Sequence, residues 1–218
     1  MQDWLIHFWN HLHTAAGLLE TIQTGGLILL FIIIFSETGL LVGFFLPGDS
    51  LLVTAGVLTI QNGDRPALFD PWLLTALLIV AAILGNQLGW WLGNKYGHRV
   101  ADRPENWLIK KKHLNSARVY FSENGSSSLL LARFIPILRT FVPFAAGMGE
   151  MKLSHFLKYN IIGACLWIGS LIWIGHFIGG TTLADELHKV ILIVVFVSFL
   201  PLLWKIAKSF LANFNRNP

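Results

Sequence analysis

The chain has 218 residues, 54% of them hydrophobic and only 13% charged, and its mean hydropathy is +0.60. An ordinary soluble domain carries about 25% charged residues, and so few charges cannot cover a water-soluble globule of this size. Soluble, disordered and fibrous classes are excluded, and the composition is that of an integral membrane protein.

In chain order, residues 1–25 read as an amphipathic interfacial helix, because Trp4, Leu5, Phe8, Trp9, Leu12, Leu19 and Ile22 recur at mostly helical spacing. His7 and His11 share a face, but no carboxylate or third ligand stands at a matching position, which favours a solvated edge over a metal site. Met1 to Thr24 contain no Lys or Arg, so no cleavable leader is expected. The run 27–60 is apolar apart from Glu37 and the Pro47-Gly48-Asp49-Ser50 break. It is too long for one crossing and too short for two, since a span needs about 20 residues. It reads as a re-entrant hairpin.

Residues 72–93 form an uninterrupted span, and 94–128 a polar loop. Seven of the chain's 16 Lys and Arg lie in this loop, between Lys95 and Arg118, which marks it as cytoplasmic. A role in nucleic-acid binding is therefore not expected. Residues 129–149 have about the length of a span but contain Arg133, Pro136, Arg139 and Pro143. An arginine at mid-bilayer costs about 2.5–3.5 kcal/mol on insertion scales, so a second hairpin is expected there. Spans at 156–179 and 190–207 follow, then a tail at 211–218.

Lys205, Lys208 and Arg216 put the C-terminus in the cytoplasm with the basic loop. The number of crossings between the two is then even, which holds only if 129–149 turns back. The expected fold is all-α and integral to the membrane. It is an inverted repeat of re-entrant hairpin plus transmembrane helix within 26–210, with a periplasmic N-terminal interfacial helix and a C-terminal transmembrane helix. Glu37 precedes Pro47 by ten residues, and Arg133 precedes Pro143 by ten. Gly85, Gly89, Gly93 and Gly97, with Gly175 and Gly179 in the later span, keep a four-residue period that allows close helix approach. That spacing fits hairpins seated within the chain, chance, or pairing of two copies into a homo-oligomer. Inverted repeats with broken helices are a transporter signature.

Ionisable groups inside a membrane are expensive and mark pathways. Glu37 and Asp49 lie in one hairpin, Arg133 and Arg139 in the other. The planar guanidinium suits phosphate oxygens, which makes the arginines candidate head-group ligands. Glu37 and Asp49 are the groups able to take up and release protons. Pro47, Gly48, Pro136 and Pro143 break the helices, and Pro136 lets both arginines converge. A purely structural ion-pair lock is the alternative, although desolvation offsets most of a buried pair's attraction. Cys165 is the single cysteine, so a disulfide framework or multi-cysteine zinc site is excluded. No cofactor or metal is expected.

The chain resembles the DedA family of bacterial inner-membrane proteins. The resemblance rests on Phe35-Ser36-Glu37-Thr38-Gly39-Leu40-Leu41, on Phe45-Leu46-Pro47-Gly48-Asp49-Ser50 and on the run Ala132 to Pro143 with its two arginines. Ala146-Gly147-Met148, Asn160 to Trp167, and Gly175 and Gly179 also fit. The matches extend over about residues 26 to 205. The resemblance implies opposed re-entrant hairpins, shared with eukaryotic lipid scramblases of the VTT group, and a functional requirement for Glu37, Asp49, Arg133 and Arg139. It also implies recycling of undecaprenyl phosphate, maintenance of the proton motive force and envelope integrity. Some members carry an Asp after the first glycine of the Gly-rich span, where this chain has Asn86.

The function expected is transport of a phosphate-bearing lipid carrier, linked to protons, with membrane lipid and protons as partners. A proton-coupled ion or small-solute antiporter is the alternative. An enzyme is not expected: an intramembrane phosphatase would need a nucleophile and a general acid, no His lies in the hairpins, and His176 stands alone in a span.

Overall fold

The structure is a computed structural model that describes residues 15–40, 48–61, 66–101, 129–130, 133 and 136–181. Residues 1–14, most of the basic loop, the expected span 190–207, the tail 211–218 and Pro47 lie outside the described residues. Among the described residues there are five helices: α1 (Ala15–Gly39), α2 (Gly48–Val57), α3 (Pro71–Ala101), α4 (Pro136–Met148) and α5 (Leu153–Gly179). No strand occurs among the described residues.

Among the described residues, two stretches are long and apolar enough to cross a membrane, Pro71–Gly97 in α3 and Leu153–Gly179 in α5, each of 27 residues. Asp70 starts α3 by accepting the Leu73 backbone N–H at Oδ1 (2.8 Å), and Pro71 fills the first helical position, where no N–H is needed. Hydrophobicity marks only the part of a helix that lipid can cover. The helical hydrogen bonds of α3 therefore run on past residue 93 to Ala101, into the expected loop, and α5 starts at Leu153 rather than 156.

The other helices are shorter. Gly26 takes a φ of 56°, which only glycine adopts without strain, and bends α1 into two parts. The apolar part is Gly25–Gly39, and α2 has 10 residues and α4 13. None of these reaches the roughly 20 residues of a full crossing.

α3 and α5 run antiparallel. Trp72 packs on Trp173, Asn86 lies beside Asn160, and Trp90 packs on Phe156. The main core joins α1, α2, α3 and α5 through buried Ile34, Leu51, Leu52, Leu78, Ile168 and Ile172. α4 packs on the far half of α3.

The small residues mark where backbones meet. A Cβ at Gly39 would lie 3.0 Å from the Gly85 Cα, and one at Gly89 would lie 3.3 Å from Pro143 Cβ. One at Gly93 would lie 3.0 Å from Phe144 Cα, and one at Gly97 would lie 3.0 Å from Met148 Cβ. On α5, Gly175 would come within 3.1 Å of the Gly56 Cα, and Gly179 within 3.1 Å of Val57 Cα. Each of these glycines thus faces another helix of this chain. α2 ends at the Trp173 end of the α3–α5 pair, and α4 ends at the opposite end. Both begin near the middle.

Candidate functional site

That middle level is where the charges are. Glu37 is fully buried near the end of α1, Asp49 sits in the first turn of α2, and Arg139 is buried in the first turn of α4. Three short helices thus start or stop at one point and bring their polar residues together. An acid in the first turn of α2 also suits the positive end of that helix. Gly48 makes the approach of α1 and α2 possible: a Cβ there would overlap the Glu37 carboxyl group, only 2.7 Å from Oε1.

Arg139 bridges both acids. Its Nη1 donates to Asp49 Oδ1 at 2.6 Å, and its Nη2 donates to Glu37 Oε1. The Trp167 ring covers the guanidinium, 4.2 Å from Cζ to ring centroid, and the Trp167 Nε1–H donates to the same Asp49 Oδ1 at 3.0 Å. Pro143 follows one turn later, inside α4. Because it has no N–H, it cannot complete the helical bond to the Arg139 carbonyl.

Arg133 lies outside α4, in a turn before Pro136 opens that helix. Sequence spacing suggested that the two arginines converge on one site with both acids, but among the described residues Arg133 pairs with no carboxylate. Its Nη1 donates to the Asn160 carbonyl (2.6 Å) and to Asn160 Oδ1 (2.9 Å), and its Nη2 approaches the Ala82 carbonyl at 3.4 Å. With the Asn86 amide oxygen turned to Arg133 Nη2 (3.0 Å), its nitrogen donates to the Thr38 carbonyl at 3.0 Å. Asn160 Nδ2 in turn donates to the Ile83 carbonyl at 3.1 Å. Gly163 clears space on α5, since a Cβ there would lie 3.0 Å from Arg133 Cδ.

Both arginines line one small cavity with Asn86, Tyr159, Asn160 and Pro143. Its volume is about 10 Å³, room for a single water molecule. Among the described residues, Nε of Arg133 and Nε of Arg139 are buried and make no hydrogen bond. No group of three potential metal ligands occurs among the described residues.

Sequence reasoning singled out Glu37, Asp49, Arg133 and Arg139 but gave no role to Asn160, Asn86 or Trp167. The available signal was a polar amide in an otherwise apolar span, at the i, i+3, i+7 spacing of Asn160, Gly163 and Trp167 that places all three on one helix face. His176 is not isolated: its Nδ1 lies 2.6 Å from the Thr59 hydroxyl, and its ring meets Trp173 and Phe177.

A family model of the VTT domain matches residues 46–177. The chain is 35% identical to Protein DedA of Escherichia coli over 201 residues, 91% of this chain and 89% of that one. It is 34% identical to an uncharacterized membrane protein of Mycobacterium tuberculosis over 185 residues, 84% and 80% of the two chains. To the inner membrane protein YqjA of Escherichia coli it is 37% identical over 158 residues, 70% and 67% of the two. No solved structure matches.

Proposed function

Because the chain belongs to the DedA family of VTT-domain membrane proteins, we propose that its buried charge cluster receives the phosphate of a lipid carrier, undecaprenyl phosphate, and moves it across the inner membrane in a step coupled to protons. The supporting observation is the pair of buried, unpaired arginine Nε donors beside one cavity. An unsatisfied buried donor costs about 1–3 kcal/mol, and two from charged groups at one place favour an anionic acceptor that comes and goes. The cavity matches one phosphate oxygen. A whole head group needs Glu37 and Asp49 to release Arg139.

Charge counting gives the coupling. With both acids ionised, two carboxylates offset two guanidinium groups. Two protons taken up by Glu37 and Asp49 leave two positive charges, against about −1.5 to −2 on a phosphate monoester near neutral pH. Protons on the acids and the lipid phosphate on the arginines therefore bind together, and the ionised acids take the phosphate's place when both leave. The polyprenyl tail stays in lipid throughout.

On this reading α1 and α2 form a hairpin entering from the periplasm, and 129–149, with α4, enters from the cytoplasm. Their shortness and their common starting level support it. The spans are α3, α5 and 190–207, with the N-terminus periplasmic beside an interfacial helix and the C-terminus cytoplasmic.

The test is reconstitution in vesicles containing undecaprenyl phosphate, reading leaflet exposure of the head group with and without a pH gradient. Wild-type protein exchanges the lipid, and Arg133→Ala at equal protein content does not. Normal exchange by that variant overturns the anion-site role. Solute flux without lipid movement points instead to an antiporter.

A further inference from the structure

We propose that Trp167 is the positioning residue of this site: it keeps Arg139 aimed at the cavity when the carboxylates let go. The inference rests on the lipid-phosphate reading above for its substrate, but its geometry stands apart. Trp167 is buried and touches both partners of one ion pair, with its ring on the Arg139 guanidinium and its N–H on Asp49 Oδ1.

The two contacts differ in what they compete with. A guanidinium gives all its N–H bonds in its own plane, so carboxylates and phosphate oxygens contend for the same edges. The ring occupies the face, which no phosphate oxygen needs. Arg139 can therefore exchange Glu37 and Asp49 for a head group while its face contact persists. Without that contact a long, rotatable side chain would be released into the site once its carboxylates are neutral, and the ordering cost would fall on lipid binding.

The indole N–H acts on the other partner. It gives Asp49 Oδ1 a donor of its own, so the carboxylate stays beside the site when Arg139 turns to the lipid. α5 is the natural carrier for this residue, since the same face holds Asn160 against Arg133 and packs Gly175 against α2.

Two measurements test this. In reconstituted vesicles, Trp167→Leu removes ring and N–H together, whereas Trp167→Phe keeps a ring over Arg139. The half-saturating concentration of undecaprenyl phosphate rises about tenfold in the Leu variant and stays within about twofold of wild type in the Phe variant, the scale of a desolvated cation–π contact. Equal loss in both variants, or loss in neither, overturns the proposal. In the nitrogen-15 spectrum of the detergent-solubilised protein, the Trp167 indole signal is identified by its absence in Trp167→Phe. It moves in Asp49→Asn and in Arg139→Lys. An indole signal that ignores both substitutions also overturns the proposal, whether or not Trp167→Leu folds. If wild-type protein moves no phosphate lipid at all, the transport reading falls, and the indole signal alone decides whether Trp167 holds the pair.

Discussion

Arg139 and Arg133 differ in what they leave behind when removed. Arg139→Ala strands Glu37, which is fully buried, and Asp49 without their shared cation. Breaking one partner of a buried pair costs about 3–5 kcal/mol, and the variant is expected to melt well below wild type in detergent. Adding Glu37→Gln and Asp49→Asn to that background recovers part of the loss, because the stranded charges disappear. Arg133→Ala strands only neutral amide and carbonyl acceptors, of which Asn160 keeps a bond to the Ile83 carbonyl. It loses less stability than Arg139→Ala, while transport is abolished in both. Melting curves and vesicle assays on the same preparations separate the two effects.

At the scale of helices, seating of α4 and α2 on the two long helices decides whether the charges meet. Gly89 and Gly93 make graded contacts with α4. A methyl at Gly89 meets Pro143 Cβ at 3.3 Å, a contact that a small shift accommodates, whereas at Gly93 it falls on the Phe144 backbone. Gly89→Ala is expected to fold with near-normal melting, and Gly93→Ala to lose about 1–3 kcal/mol, the usual range for overpacking. The far end of α2 is tied differently. The Thr59 hydroxyl donates to the Gly56 carbonyl (2.6 Å) and shares a hydrogen bond with His176 Nδ1 on α5. Thr59→Val leaves a half-buried imidazole nitrogen unpaired and lowers stability by about 1 kcal/mol, read as a drop in melting temperature with transport retained.

For the molecule as a whole, the aromatic residues give the depth of the site. Trp72 and Trp91 are exposed on α3 and stand 19 residues apart. At 1.5 Å per residue that is about 28 Å, close to the hydrocarbon thickness of about 30 Å. Rings at both interfaces suit their amphipathic character, and Lys95 lies over the Trp91 and Tyr96 rings at the Trp91 end. Ala82, whose carbonyl faces Arg133, is about 15 Å from the Trp72 level, at mid-membrane. Cys165 is exposed on α5, about 12 Å from the Trp173 level. A spin label attached there in detergent and carried into vesicles is expected to be relaxed strongly by oxygen and weakly by a water-soluble nickel chelate. The reverse ranking contradicts this depth. A pH gradient imposed across the same vesicles accelerates lipid exchange, and a proton carrier abolishes the gain.

Composition and local pattern were sufficient for several features. So few charges in 218 residues require a membrane, two long apolar runs become α3 and α5, and acids or arginines in apolar stretches stand out because lipid tolerates them poorly. The break at Pro136 follows from backbone chemistry alone. Tertiary structure decided which charges pair. Arg139 and Arg133 are six residues apart, yet Pro136 puts one inside a helix and the other in a turn. One therefore meets two carboxylates and an indole, the other a pair of asparagines. Asn160 and Trp167 gained their partners only when α5 packed against α3 and α2. A hydrogen bond across more than seventy residues leaves no period in the sequence, because it depends on how helices are seated and not on spacing along any one of them.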